Sequence, residues 1–323
     1  MALEFLVLCG GLALLTYGAD RFVEGAAAAA GNLGVPSLLV GLVIVGFATS
    51  APEMLVSAVA ALDGAPSLGI GNAIGSNITN VGLVIGASAL AAPMAVGSSL
   101  LRREFPLLFT VLAIAAALLA DGYLSRADGI LLVGGLFVVV GALVWLGRNT
   151  SPRDPIVAEV DHELAALAPP MSMPRALAWL VLGLVLLLGG SRLVVSGAVA
   201  IAQGFGLSDV VIGLTVVAIG TSLPELAASV ASALKNEPDI ALGNVLGSNM
   251  FNALGVLGLP GLLAPTAFDA EVISRDLPCM FLLSLALLMM CRARAGQRRI
   301  GRFDGGVLLA GFCAYQLLLF GAR

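Results

Sequence analysis

The stretch GFATSAPE, residues 46–53, places a proline and a carboxylate inside an otherwise apolar run. On both sides of it the chain consists almost entirely of Leu, Val, Ile, Ala and Gly. A proline inside a helix removes a backbone hydrogen bond, and an ionised carboxylate within a membrane is energetically costly. A segment that carries both therefore indicates a functional site rather than ordinary helix packing.

The composition of the chain predicts a membrane protein. Of its 323 residues, 59% are hydrophobic and 11% are charged, and the mean hydropathy is +1.04. Soluble domains carry charge on about a quarter of their residues. Because the apolar runs are long enough for spanning helices, we predict an all-α integral membrane protein with ten transmembrane helices. They are expected near residues 3–30, 36–62, 67–92, 105–121, 127–147, 174–203, 208–234, 239–263, 277–291 and 303–321.

One long polar connector divides the predicted spans into two sets of five. It covers residues 148–173 and is rich in proline and charge. The predicted domain organisation is therefore a first five-helix repeat over residues 1–147, this connecting loop, and a second five-helix repeat over residues 174–323.

The two halves share sequence when one is shifted by 172 residues. The shift places GLVIVGFATSAPEMLVSAVAAL (41–62) on GLTVVAIGTSLPELAASVASAL (213–234). Without a gap, it also places GNAIGSNITN (71–80) on GNVLGSNMFN (243–252). This indicates an internal repeat. Because each half has an odd number of spans, the second half enters the membrane from the opposite side, and the repeats are predicted to be inverted.

The polar residues of the first block suit a cation that prefers oxygen ligands. In a helix, Thr49 and Ser50 share a face with Glu53, since they precede it by four and three residues. Pro52 and its counterpart Pro224 are expected to break their helices and to free carbonyls of the preceding turn. Carbonyls, hydroxyls and a carboxylate form a ligand set for sodium or calcium rather than for zinc or copper.

The third and eighth spans supply a matching polar face. Ser76 and Asn80 are four residues apart, as are Ser248 and Asn252, so each pair lies on one side of its helix. Four helices, two from each half, are thus expected to bring glutamates, asparagines and hydroxyls to one point.

Simpler explanations apply to part of this pattern. Glycine patterns in apolar helices are common packing devices, and Ser and Thr there mostly bond their own backbone. Asn77 and Asn249 fit a hydrogen bond between helices as well as direct ligation of an ion. The glutamates Glu53 and Glu225 are different, because a carboxylate at the centre of a membrane is by default a functional hypothesis.

The distribution of basic residues predicts the orientation. If the N-terminus is outside, eleven of the sixteen Lys and Arg residues fall in inner segments and three in outer segments. Such an excess is typical of cytoplasmic loops. We therefore expect a multi-pass protein of the plasma (inner) membrane, with both termini outside and the 148–173 loop cytoplasmic.

The two pairs of blocks resemble the two alpha-repeats of the sodium/calcium exchanger family, in the cation/calcium antiporter superfamily. The resemblance covers essentially the whole chain. It implies exchange of sodium for calcium by alternating access, with the first and sixth helices sliding against a core built from the rest. It also implies ten ion-binding positions, namely Thr49, Ser50, Glu53, Ser76, Asn80, Thr221, Ser222, Glu225, Ser248 and Asn252.

The chain departs from that family pattern in two respects. Asn252 stands where the potassium-dependent members have Asp, which argues against potassium co-transport and leaves two carboxylates at the centre rather than three. The connecting loop of 26 residues is too short for the calcium-sensing domains of animal relatives.

The same residues leave other functions to consider beside antiport of sodium and calcium. The same ligand set could exchange calcium for protons, with the glutamates as proton carriers. A channel would need a continuous pore. An enzyme would need a nucleophile with a base or a histidine-containing metal set, so we expect no enzymatic activity. The expected partners are calcium ions, sodium ions and the lipid bilayer, with no cofactor and no nucleic acid.

Overall fold

A computed structural model describes residues 2–33, 50–96, 100–148, 171–234, 238–291 and 299–321. These residues are nearly all helical. The helices are α1 Ala2–Asn32, α2 Ala51–Leu62, α3 Pro66–Thr79, α4 Gly86–Ala91, α5 Phe105–Leu118, α6 Arg126–Arg148, α7 Met173–Phe205, α8 Asp209–Ile212, α9 Ala218–Thr221, α10 Leu223–Leu234, α11 Pro238–Phe251, α12 Leu257–Leu263, α13 Leu277–Met290 and α14 Arg302–Gly321.

Several of these helices are joined by wider, π-helical turns. These turns are π1 Asn80–Ile85, π2 Leu100–Glu104, π3 Gly213–Val217, π4 Asn252–Val256 and π5 Val272–Asp276. Through them, α3 continues into α4 and α11 continues into α12 as two longer helical spans, Pro66–Ala91 and Ile240–Leu263.

The helices of the described residues fit a membrane protein. Six of them are long and apolar enough to cross a membrane, or seven if the bent pair Asp209–Thr221 and Leu223–Leu234 forms one span. The described helices coincide with the segments predicted from the sequence. The total of ten spans remains a prediction, since residues 34–49 and 149–170 are outside the described part.

The element boundaries repeat with the same shift of 172 residues as the sequence. It places α2 on α10, α3 on α11 and α5 on α13, and the starts of π1 and π2 on those of π4 and π5. The repeated polar blocks therefore occupy equivalent helices in the two halves.

Four short strands connect the halves. They are β1 Met94–Ala95, β2 Tyr123–Leu124, β3 Thr266–Ala267 and β4 Arg299–Ile300. β1 pairs antiparallel with β4, and β2 pairs antiparallel with β3. Each pair thus joins one strand from the first half to one from the second.

Helices α1 and α7 form a close antiparallel pair. Early in α1, a side chain at Gly11 would lie 3.0 Å from the Gly190 carbonyl oxygen, while Gly18 faces Gly183 further along. A side chain at Gly183 would come within 2.8 Å of the Gly18 carbonyl oxygen. Only glycine lets the two backbones approach this closely, which favours dispersion contacts between membrane helices.

Two apolar clusters hold the helices together. The larger joins α3, α5, α11, α13 and α14, with Ile78, Leu108 and Leu246 almost inaccessible. The smaller joins α1, α2 and α7 and includes Leu15 and Val56. The polar residues of the repeated blocks lie where these helices meet.

Candidate cation-binding site

Each of the two glutamates lies in the first turn of a helix, shortly after a serine whose backbone conformation is not helical. α2 begins after Ser50, whose φ of −89° and ψ of 1° are not helical. Ser222, with φ −83° and ψ 6°, separates α9 from α10. A proline is tolerated in each first turn because its missing N–H has no intrahelical partner there. Glu53 and Glu225 therefore lie at the positive N-terminal ends of their helices.

The break predicted before Pro224 is present as a bend of 45°. The expectation that it frees the carbonyls of the preceding turn is wrong for Ala218, whose oxygen accepts the Ser222 N–H at 3.1 Å. The equivalent prediction before Pro52 concerns residues 46–49, which are outside the described part of the chain.

The two glutamate carboxylates are both buried and are close enough for their charges to interact. Glu53 and Glu225 are each 1% exposed, and their charges interact directly. The Glu53 carboxylate also lies beside the hydroxyls of Thr221 and Ser222, although neither of its oxygens accepts a hydrogen bond of ordinary length from the described residues. Two adjacent carboxylates in such a place repel each other and need positive charge to stabilise them.

The polar residues predicted on α3 and α11 are also buried inside the protein. Ser76, Asn80, Ser248 and Asn252 are all buried. α3 packs against π3 and π4 of the other half, so the polar faces of the two halves meet. Asn80 and Asn252 are the first residues of π1 and π4, and such wide turns within helices are frequent at functional sites.

Many of the buried oxygens at this place lack a hydrogen-bond partner among the described residues. They are the hydroxyl oxygens of Ser50, Ser222 and Ser248, the amide oxygens of Asn80 and Asn252, and both carboxylate oxygens of Glu53. Buried polar atoms are nearly always paired, so this concentration of unpaired oxygens requires an explanation. Hard cations such as sodium and calcium bind oxygen ligands of these types.

The described residues account for nine of the ten predicted site positions, and all nine are buried. Thr49 is outside the described residues. The sequence left the roles of Asn77 and Asn249 open. Asn249 forms a bond between helices, because its Oδ1 accepts a hydrogen bond from Asn80 Nδ2 at 3.1 Å. The Oδ1 of Asn77 is buried and has no hydrogen-bond partner among the described residues.

Sequence reasoning missed a second polar layer behind the site. Asn72 Nδ2 donates to Ser57 Oγ at 3.3 Å, and in the other half Asn244 Nδ2 donates to Ser229 Oγ at the same distance. These residues correspond under the shift of 172. The signal was thus present in the quoted blocks, as a polar pair conserved between the halves of this one chain.

The fold and this site define a class: a multi-pass helical membrane protein with a buried, oxygen-lined, acidic centre between two related halves. The sequence model of the family described as "Sodium/calcium exchanger protein" matches residues 3–145 and 175–321. This chain belongs to that family.

Similar proteins cover nearly the whole chain. A relative named "Putative antiporter CaxA" from Alkalimonas amylolytica is 50% identical over 310 residues, which is 96% of each chain. "Inner membrane protein YrbG" from Escherichia coli (strain K12) is 39% identical over 322 residues, covering 99% of this chain and 98% of the relative. A solved structure of the sodium-calcium exchanger NCX_Mj, soaked with sodium and calcium, is 34% identical. It has a TM-score of 0.64 and coverage of 99% of each chain.

Proposed function

We propose that this protein is a secondary antiporter that exchanges sodium for calcium across the membrane by alternating access. The observation that carries this proposal is the pair of buried, adjacent carboxylates surrounded by unpaired hydroxyl and amide oxygens. Membership of the sodium/calcium exchanger family supports it, as does the likeness to a structure titled as a sodium-calcium exchanger.

The proposed ions are cargo held by the chain's own oxygens. The ligands are the ten positions given above, from Thr49 to Asn252. Two carboxylates balance the charge of one calcium ion or two sodium ions, so the two kinds of cargo can replace each other without leaving net charge in the membrane interior. No cofactor is needed for this chemistry, and we propose no enzymatic role.

The proposed architecture consists of ten spans in two inverted five-helix repeats, residues 1–147 and 174–323, joined by the 148–173 loop. Two observations support it. Helices α1 and α7 correspond under the shift of 172 and pack antiparallel. The strand pairs β1–β4 and β2–β3 each join one half to the other, and the shift of 172 places β1 on β3. Transporters with inverted repeats bind substrate between the repeats near the membrane midplane.

The proposed location is the plasma (inner) membrane, with both termini outside and the 148–173 loop in the cytoplasm. The excess of basic residues in the inner segments supports this orientation. A relative named as an inner membrane protein is consistent with the location.

Exchange of calcium for protons is the second candidate function. The adjacency of Glu53 and Glu225 favours it, because two close carboxylates readily share a proton when no metal ion is bound. In this mechanism the protons would take the place of sodium as the counter-ions.

Calcium uptake into proteoliposomes distinguishes the two candidates. We expect an outward sodium gradient to drive calcium uptake, whereas outward potassium gradients and imposed pH gradients alone should not. Uptake that follows the pH gradient without sodium would contradict sodium coupling and favour the proton mechanism. Calcium flux that needs no counter-ion would contradict antiport altogether.

A further inference from the structure

Asn72 lies at the point where three ion-binding segments meet. It is fully buried in α3. Its Nδ2 donates to the backbone carbonyl oxygen of Glu53 at 3.2 Å and to Ser57 Oγ at 3.3 Å. Its Oδ1 accepts from Ser76 Oγ at 3.5 Å and from Thr221 Oγ1 at 3.3 Å. An asparagine amide offers two donors and two acceptor positions, so this side chain is fully used.

The backbone fixes which way the Asn72 amide faces. A carbonyl oxygen can only accept, so the NH₂ group must face Glu53, and Oδ1 must face the opposite side. Because Oδ1 can only accept, the hydroxyls of Ser76 and Thr221 must donate to it. The single proton of each hydroxyl is thereby directed toward Asn72, and the oxygen lone pairs are left facing away from it.

The candidate hydroxyl ligands fall into two groups, those without a hydrogen-bond partner and those that donate to Asn72. The hydroxyls of Ser50, Ser222 and Ser248 have no hydrogen-bond partner among the described residues. Those of Ser76 and Thr221, from opposite halves, share one acceptor. A hydroxyl binds a cation through its oxygen, so a fixed proton direction prepares the ligand before the ion arrives.

We infer that Asn72 is a positioning residue of the cation site, which orients the Ser76 and Thr221 hydroxyls from the two halves toward the ion without binding the ion itself. The inference rests on the proposed cation site. It applies equally to sodium and calcium, since both bind the same oxygens. Two other acceptors lie near the Thr221 hydroxyl. The Glu53 carboxylate is beside it but accepts no hydrogen bond of ordinary length from it. The Ala218 carbonyl oxygen is 3.5 Å away and already accepts the Ser222 N–H.

A double-mutant cycle on the purified full-length chain tests this role by equilibrium binding of radiolabelled calcium. Asn72→Ala should weaken calcium binding about tenfold, because two ligands lose an orienting hydrogen bond that is typically worth a few-fold each. In a Ser76→Ala, Thr221→Val background the same substitution should change affinity less than about twofold, since the hydroxyls it orients are gone. Ser57→Ala is the matched control, because it removes a bond of the same amide without touching a ligand.

The exchange assay supplies a second readout. Asn72→Ala should raise the half-saturating calcium concentration by the same factor and lower the maximal exchange rate much less. A merely structural role would instead reduce the amount of folded, active protein and leave the half-saturating concentration unchanged. Thermal unfolding of each variant in detergent reports that loss directly.

Each outcome decides the inference. Equal weakening by Asn72→Ala in the wild-type and the double-variant backgrounds would overturn it, because Asn72 would then act by another route. If Asn72→Ala does not fold, Asn72→Ser is measured in the same cycle. If neither Asn72 variant folds while Thr221→Val does, Asn72 has a structural role and the inference is wrong. A wild-type protein that binds calcium but does not exchange it for sodium would contradict the proposed function and leave this cycle valid. A wild-type protein that binds no calcium would overturn both.

Discussion

The two halves of the molecule carry the same polar residues at the site, yet they surround it differently. Eight of the twelve residues of α2 are buried, against three of the twelve residues of α10. α2 packs against both α1 and α7, and the smaller apolar cluster seals that contact. Within the described ranges, α10 makes no comparably extensive contact with either helix.

The protein therefore encloses α2 much more than α10, although Glu53 and Glu225 themselves are equally buried. Equivalent sequences adopt unequal surroundings when a protein with two related halves occupies one of its two states. In the orientation we propose, the C-terminal end of α10 faces the cytoplasm, so the less enclosed of the two helices leads to the inner side.

The hydrogen bonds at the site differ in the same way. Asn80 of the first half donates to Asn249 of the second at 3.1 Å. Asn252 corresponds to Asn80, but its side chain has no hydrogen-bond partner among the described residues. The first half therefore holds its asparagine in place, while the second leaves its own available to an ion.

The largest expected effect comes from removing the negative charge of either site glutamate, which tests whether the two halves contribute equally to cation binding. Glu53→Gln or Glu225→Gln removes one of two carboxylates beside a divalent cation, and each should weaken calcium binding roughly a thousandfold. Sodium-driven calcium flux should be lost, while thermal stability changes little because a buried charge is itself a burden on folding. Glu271→Gln, at an exposed position, is the control. Near-normal exchange in either site variant would show that its glutamate is structural.

The second prediction concerns access along α2 and α10. Ala228 on α10 is exposed, and its counterpart Val56 on α2 is fully buried. A water-soluble thiol reagent should therefore modify Ala228→Cys at least about tenfold faster than Val56→Cys, because a buried thiol is protected until the structure opens. The rates can be followed by mass spectrometry of the ion-free protein. Equal rates would mean that the surface of α10 is covered by lipid rather than water.

The third prediction addresses the unequal asparagines. Asn252→Asp adds a third carboxylate at an unpaired position and should tighten calcium binding about tenfold while slowing exchange, because a tightly held ion leaves slowly. Asn80→Asp should bind calcium less tightly than Asn252→Asp, since it also loses the bond to Asn249 and places two acceptors face to face. Faster exchange at unchanged affinity in Asn252→Asp would show that this position does not contact the ion.

The smallest effect concerns the antiparallel contact of α1 and α7. A side chain at Gly18 would lie 2.9 Å from Leu186 Cβ and 3.0 Å from the Leu187 nitrogen, whereas one at Gly10 meets nothing within 4 Å. Gly18→Ala should therefore destabilise the protein by about 1–3 kcal/mol, and Gly10→Ala should not. Thermal unfolding in detergent measures both. Equal melting temperatures would indicate that the two helices do not pack this closely.

The sequence was sufficient for the membrane class and the described helical segments, because long apolar runs stand out and the halves repeat each other. The ligand role of the ten site positions stays a prediction, and nine of them lie buried among the described residues. The sequence did not reveal the role that we infer for Asn72, since a buried asparagine that binds an ion and one that orients a ligand have the same sequence pattern. The turns π1 and π4 were not predicted either, because a wider helical turn leaves no distinct side-chain periodicity. The unequal burial of α2 and α10 was not predicted, because it depends on which other helices pack around each of them.

Calcium stoichiometry is the most direct test of the claim that the two halves build one cation site. Equilibrium binding of radiolabelled calcium to the purified protein should saturate at one ion per chain and should be displaced by sodium but not by potassium. Both Glu53→Gln and Glu225→Gln should abolish this binding at concentrations that saturate the wild type. Two independent calcium ions per chain, or one ion that survives the loss of either carboxylate, would contradict a shared site.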